Sequence, residues 1–329
     1  MQQRNLGPSG LRVSVVGLGC NNFAARLDPE ATRRVVHAAL DHGITLFDTA
    51  DVYGRPVRHG GSEEYLGAAL GPRRKDIVLA TKFGNPMDES GMKQGASRRY
   101  IMAAVEASLK RLGTDWIDLY QVHRFDPLTP LEETVRALDD LIRQGKVRYV
   151  GVSNFAAWQV VDALWTAKSL GCNGFVSCQD EYSLLVRGPE KDLIPAMQAH
   201  GLGLLPYFPL ASGLLTGKYR RNRPMPENAR LTITQRLANA FLTDRNWEIT
   251  EKLADFCEQR GRTMLELSFS WLLARPTVTS VIAGASTPEQ IAQNVKATEW
   301  ALSAEDLAEI DAITDDGAPP ARRAPPPAR

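Results

Sequence analysis

The chain has 329 residues, of which 43% are hydrophobic and 23% charged, with a formal net charge of +1. This is an ordinary globular composition, long enough for one large barrel or two domains, and it offers no electrostatic reason for a nucleic-acid or membrane-surface partner. No apolar run reaches the roughly 18 residues that cross a bilayer, and the opening MQQRNLGPSG lacks the apolar core of a signal peptide, so the reading is of a cytoplasmic protein. Residues 4–14, around Gly7-Pro8-Ser9-Gly10, read as an N-terminal hairpin. Eight short apolar runs follow, at 13–19, 45–50, 76–84, 117–123, 147–154, 174–182, 202–210 and 278–286. Each is nearly continuous, as in parallel strands buried on both faces.

Helical segments lie between the runs and several carry start and stop signals. Asp28 precedes Pro29 as an N-cap, Ala31, Val35 and Ala38 form a stripe, and Gly43 is the stop. Ser97 caps a helix carrying Ile101, Val105 and Leu112, ending near Gly113. Thr129-Pro130-Leu131-Glu132 reads as a capping box before a stripe of Leu131, Val135, Leu138 and Ile142, with Gly145 as the stop. Ser303 caps an added helix over 303–314, and the Pro/Ala/Arg-rich stretch 315–329 reads as a disordered tail behind a single domain of residues 1–314. Strict strand–helix alternation predicts a (β/α)8 TIM barrel. The alternative, an open doubly wound sheet, usually carries GxGxxG after its first strand. Here that turn reads Gly17-Leu18-Gly19-Cys20-Asn21-Asn22 and lacks the third glycine.

Active sites of parallel barrels lie at the C-terminal ends of the strands. The predicted ends bring Asp48 and Tyr53, Lys82, His123, Ser153 and Asn154, Gln179, and Tyr207 to one rim. Singly, each has a structural explanation: a turn aspartate, a half-buried tyrosine, a snorkelling lysine, a satisfied core histidine. Together, the first four suit one chemistry. A tyrosine titrates near pH 10, and the Lys82 ammonium is expected to lower that value for Tyr53. Asp48 can pair with Lys82, and His123 can polarise a carbonyl oxygen. The set suits proton donation to an oxygen that becomes an alkoxide when hydride reaches carbon. Since no side chain donates hydride, a nicotinamide cofactor is required. Cys20, Cys172, Cys178 and Cys257 make no CxxC pair and read as free structural thiols. The five histidines show no HxH or HExxH pattern and so no metal site. After the last strand, Thr287-Pro288-Glu289-Gln290 reads as a capping box whose helix N-terminus accepts phosphate.

FDTADVYG (47–54), ATKFG (80–84), QVH (121–123), VGVSNF (150–155), QDEYSLL (179–185), PYFPLASGLLTGKY (206–219) and IAGASTPEQIAQN (282–294) resemble the aldo-keto reductase family, in order and spacing, across about residues 4–313. The resemblance implies that Asp48, Tyr53, Lys82 and His123 are the catalytic tetrad, with Tyr53 as proton donor. It implies that Ser153, Asn154 and Gln179 hold the nicotinamide carboxamide and that Tyr207 stacks on its ring. It further implies cofactor contacts from Pro209, Leu210, Ser212 and Gly213, from Lys218 and Arg230, and from Gly284, Ser286, Gln290 and Asn294. The implied cofactor is NADPH/NADP+, with NADH as the alternative, because Gly284 and Gln290 stand where other members place lysine and arginine. The implied substrate is a small-molecule aldehyde or ketone. His123 favours carbonyl reduction, since members that reduce a steroid double bond carry glutamate there.

Two other classes compete. One is an NADP(H)-binding redox sensor of the kind the channel beta subunits represent. The other is an aldolase using Lys82 as a Schiff-base nucleophile, which leaves the phosphate-accepting turn unexplained. Asn21, Asn22, Phe23, Arg55, Arg124, Phe125 and Phe208 are candidate pocket residues. Arg55 or Arg124 would suit an acidic or phosphorylated substrate, or else a rim salt bridge. The oligomeric state is not legible in the sequence.

Overall fold

The predicted apolar runs become strands of one parallel sheet because each is buried on both faces. In the computed structural model, which describes residues 1–55 and 58–315, a short antiparallel hairpin of β1 (Gln3–Asn5) and β2 (Arg12–Ser14) precedes the sheet. The sheet strands are β3 (Val16–Gly19), β4 (Leu46–Asp48), β5 (Val78–Phe83), β6 (Ile117–Val122), β7 (Val147–Ser153), β8 (Ser177–Glu181), β9 (Gly203–Tyr207) and β10 (Val281–Gly284). Their order is β10-β3-β4-β5-β6-β7-β8-β9, all parallel. A parallel bridge between Leu204 and Val278 closes the ring, and the predicted (β/α)8 TIM barrel is observed. The last predicted tail residues, 316–329, lie outside the described residues. Among the described residues, no helix is long and apolar enough to cross a membrane.

Outside the strands run α1 (Pro29–Asp41), α2 (Gly61–Leu70), α3 (Arg98–Leu112), α4 (Leu131–Arg143), α5 (Ala157–Ser169) and α6 (Leu193–Ala199). Between β9 and β10 the chain forms α7 (Arg230–Ile233), α8 (Gln235–Phe241), α9 (Asp244–Gln259) and α10 (Met264–Leu273). The last two are α11 (Pro288–Lys296) and α12 (Ala304–Thr314). Asp28, Ser97, Thr287 and Ser303 each accept the N–H of their helix's third residue, as predicted. Thr129 does not cap α4. Its hydroxyl donates instead to Asp126 Oδ2 at 2.8 Å, and Pro130 occupies the N-cap position with no side-chain bond. The stripe of α1 is also rotated from the predicted one: Thr32, Val35, Val36, Ala39 and Leu40 are its buried residues, because α1 packs between α2 and α11.

The predicted strand 13–19 divides between two pairings. Residues Arg12–Ser14 pair with β1, and Val16–Gly19 pair with β4 and β10. Ser14 fixes the break, its Oγ donating to Val16 O at 2.6 Å and accepting from Thr45 N at 2.8 Å. The hairpin then plugs the floor of the barrel. Leu6 and Val13, both fully buried, join Leu46, Val78, Ala80, Leu119, Val176, Leu205 and Ile282 in an inner core. Gly7 makes the plug fit: at φ +56° it lies so close to the sheet that a Cβ would sit 2.1 Å from Val176 O. A larger apolar layer lies between the strands and the helices. With the floor closed, the open mouth is the rim where the strands end.

Candidate active site

Asp48 is the last residue of β4 and Lys82 points inward from β5. Lys82 is fully buried and donates to Asp48 Oδ2 at 2.7 Å, to Thr49 O at 2.8 Å and to Tyr53 Oη at 3.4 Å. The other Asp48 oxygen accepts from Gln179 Nε2 at 2.8 Å and Gln121 Nε2 at 3.2 Å. A buried carboxylate is thereby satisfied on both oxygens, which an ion pair in low dielectric requires. Burial alone would lower the Lys82 pKa, but Asp48 and then Tyr53 outweigh it, and the side chain stays an ammonium.

The Tyr53 hydroxyl does not behave as its neighbour Lys82 alone predicts. Burial raises its pKa, Lys82 opposes and Asp48 adds to the rise, so the phenol stays above its usual value of 10.0. The expected lowering is therefore reversed, because burial removes the water that would stabilise a tyrosinate. His123 stands edge-on to Tyr53, with ring centroids 5.9 Å apart and planes at 80°. Burial, then Lys82 and Arg124, hold its pKa well below 6.5, so the imidazole is neutral. Its Nδ1 is buried without a hydrogen-bond partner among the described residues. A neutral imidazole can donate through one nitrogen to a carbonyl oxygen.

These groups open into a cavity of about 960 Å3. Every site residue named from the sequence lines it except Lys82, which lies beneath Asp48 and Tyr53. Five rim residues are bonded to one another. Asn154, at φ +60°, donates to His123 O at 3.0 Å and to Ser153 Oγ at 2.9 Å, and accepts from Tyr207 Oη at 2.8 Å. Ser153 Oγ donates to Gln179 O at 2.8 Å. Asparagine is among the few non-glycine residues that tolerate this backbone region. The amides expected to face a carboxamide thus also lock adjacent strand ends together.

The β9–β10 side is built for anions. Lys218, Arg230, Arg26 and Arg236 line the cavity there, and none has a carboxylate partner among the described residues. Burial and then Arg26 depress the pKa values of both Lys218 and Arg230, as expected for clustered cations lacking a counter-ion. Arg230 opens α7, with its guanidinium 5.2 Å from the Phe208 ring centre. Ser212 Oγ is buried, lines the cavity and has no hydrogen-bond partner among the described residues. Ser212 and Gly213 both have positive φ, at +58° and +97°. At the N-terminus of α11, Gln290 Oε1 accepts from Ser286 N at 2.7 Å rather than from the N-cap residue as a capping box would. An orphaned buried hydroxyl, a cluster of uncompensated cations and a helix N-terminus together fit a phosphate-bearing dinucleotide.

The candidate pocket residues divide. Asn21, Asn22, Arg124 and Phe208 line the cavity. Phe23 is fully buried in the core, Arg55 donates to Pro86 O, and Phe125 packs edge-on against Phe155 and Trp158. Sequence reasoning missed Gln121, whose signal was an amide two residues before His123 on the same predicted strand, the spacing of side chains that share one face. It also missed a second buried polar cluster behind β5. Glu63, with no exposed surface, accepts from Arg111 Nε and Thr81 Oγ1, both at 2.6 Å. Asp51 beside it accepts from Tyr100 Oη at 3.4 Å, while its Oδ1 has no partner among the described residues. Burial, then Glu63, raise the Asp51 pKa well above 3.8.

The profile of the Aldo/keto reductase family matches residues 15–315. The chain is 38% identical over 320 residues to the Uncharacterized oxidoreductase YrpG of Bacillus subtilis (strain 168), covering 95% of this chain and 96% of that protein. It is 38% identical over 308 residues to a Probable voltage-gated potassium channel subunit beta of Arabidopsis thaliana, covering 91% and 92%. With L-glyceraldehyde 3-phosphate reductase of Escherichia coli O157:H7 it shares 37% identity over 331 residues, covering 96% and 93%.

Proposed function

The chain belongs to the aldo/keto reductase family, and from that premise we propose that it reduces an aldehyde or ketone to the alcohol with NADPH, Tyr53 being the general acid. The observation that carries this reading is the Lys82 ammonium held between Asp48 and Tyr53. When bound, a nicotinamide would supply the hydride for the carbonyl carbon. The protein's part is the proton. Tyr53 keeps it at neutral pH because burial holds the phenol up. As negative charge develops on the carbonyl oxygen, Tyr53 releases the proton to it, and the tyrosinate left behind faces Lys82. Neutral His123 donates a hydrogen bond to the same oxygen and orients it. Lys218, Arg230, Ser212 and the α11 N-terminus would hold the phosphates, with Ser153, Asn154, Gln179 and Tyr207 at the nicotinamide end.

Oxidation of NADPH at 340 nm with 4-nitrobenzaldehyde and a panel of aldehydes and ketones tests the reading. Turnover is expected for the wild type, with a loss of at least about a hundredfold in Tyr53→Phe. A second reading, a barrel that binds NADP(H) and regulates a partner, is favoured by the similarity to the potassium channel beta subunit. Tight NADPH binding without turnover of any substrate would support it. Neither binding nor oxidation would overturn the cofactor assignment.

A further inference from the structure

We propose that the substrate carries an anionic group, phosphate or carboxylate, near its carbonyl, and that Arg124 receives it; the proposal rests on the carbonyl-reduction reading above. Arg124 immediately follows His123 and lines the same cavity as His123 and Tyr53. It is exposed at the mouth and makes no hydrogen bond or ion pair among the described residues. Its nearest acid in the chain, Asp126, is engaged elsewhere: Oδ2 accepts from Ala96 N and Thr129 Oγ1, both at 2.8 Å, and Oδ1 from Leu128 N at 3.0 Å.

The backbone that presents the guanidinium is held on both sides. His123 N donates to Phe83 O at 2.9 Å, His123 O accepts from Asn154 Nδ2 at 3.0 Å, and Asp126 ties the following turn to the start of α3. A cation on a fixed loop, without a counter-ion among the described residues and beside the carbonyl site, is a preorganised anion receptor.

Position separates it from the other cavity cations. Lys218 and Arg230 follow β9, and α11 follows β10. In the ring order β10-β3-β4-β5-β6-β7-β8-β9, the strand β6 that precedes Arg124 stands four places from β10, diametrically across the barrel. A dinucleotide held by Ser153, Asn154 and Gln179 at one end and by the α11 N-terminus at the other would fill the other half of the mouth. Arg124 is left to the part of the substrate that extends from His123 toward solvent.

The test uses matched aldehydes that differ in charge: 4-carboxybenzaldehyde against its methyl ester, and glyceraldehyde 3-phosphate against glyceraldehyde. The readout is the ratio of kcat/KM, anionic over neutral, in wild type and Arg124→Met. The ratio cancels any effect of the substitution on NADPH binding or on His123, and it counts only folded enzyme. Wild type is expected to favour the anionic member of at least one pair by about tenfold or more, and the variant to lose that preference, since a hydrogen bond to a charged group is worth about tenfold to a hundredfold. Collapse in the phosphate pair alone assigns a phosphate, and in the carboxylate pair alone a carboxylate. A wild-type ratio near one in both pairs, or a preference unchanged by Arg124→Met, overturns the assignment while leaving carbonyl reduction intact. No turnover of these four aldehydes or of any member of the aldehyde and ketone panel overturns both.

Discussion

Asp51 is a carboxyl in a place that disfavours its charge. It has one oxygen without a partner among the described residues, Glu63 as a buried neighbour, and a pKa pushed well above 3.8. The unfolded chain loses this proton near pH 4, whereas the folded chain keeps it to higher pH. The folded state is then the more protonated one, so its stability falls as pH rises above about 4 until the folded group itself titrates. Asparagine has nearly the same shape, can still accept from Tyr100 and carries no such titration. Asp51→Asn is therefore expected to melt above wild type at pH 7, by about 2 °C or more, with the gap closing toward pH 4. Thermal melts at the two pH values check this. A variant that melts lower at pH 7 would mean that Asp51 is ionised and stabilised by Arg111.

Elements of this barrel succeed or fail through their contacts with other elements. Helix α2 contains Gly67 within its turns, which by propensity alone costs about 1 kcal/mol relative to alanine. Its neighbour explains the choice: a Cβ at Gly67 would lie 2.4 Å from Leu112 O and 2.7 Å from Leu112 C, at the end of α3. Backbone cannot yield as a flexible side chain can. Gly67→Ala is expected to destabilise by about 1–3 kcal/mol, read from the midpoint of urea unfolding. An unchanged or higher midpoint would show that α2 slides freely. Any such slide reaches the site, because Ser62 N, in the first turn of α2, donates to Tyr53 O at 3.3 Å.

For the whole molecule, the net charge of +1 conceals an uneven distribution. Arg26, Lys218, Arg230 and Arg236 converge on one half of the cavity, without carboxylate partners among the described residues. A field of this kind attracts a polyanion and is screened by salt. The dissociation constant of NADPH, followed by protein fluorescence, is expected to rise by about tenfold or more between 50 and 500 mM NaCl, as charged contacts are screened. NADH, lacking the 2′-phosphate, should show a smaller rise. Equal salt dependence for the two would mean that the cluster does not read that phosphate.

The barrel was legible in the sequence because its signals are local. Apolar runs, capping residues and turn glycines act over a few residues, and the rule that sites sit at strand ends then brought Asp48, Tyr53, Lys82 and His123 to one rim. Tertiary structure alone decided what depends on distant partners. Gln179 meets Asp48 across 131 residues, and Arg26 meets Asn228 across 202. The same holds for Arg111, which meets Glu63 across 48 residues, and for the floor that Leu6 and Val13 close. The direction of the Tyr53 pKa is the clearest case. Lys82 was visible from the sequence as a neighbouring charge, but burial was not, and burial is the larger of the two.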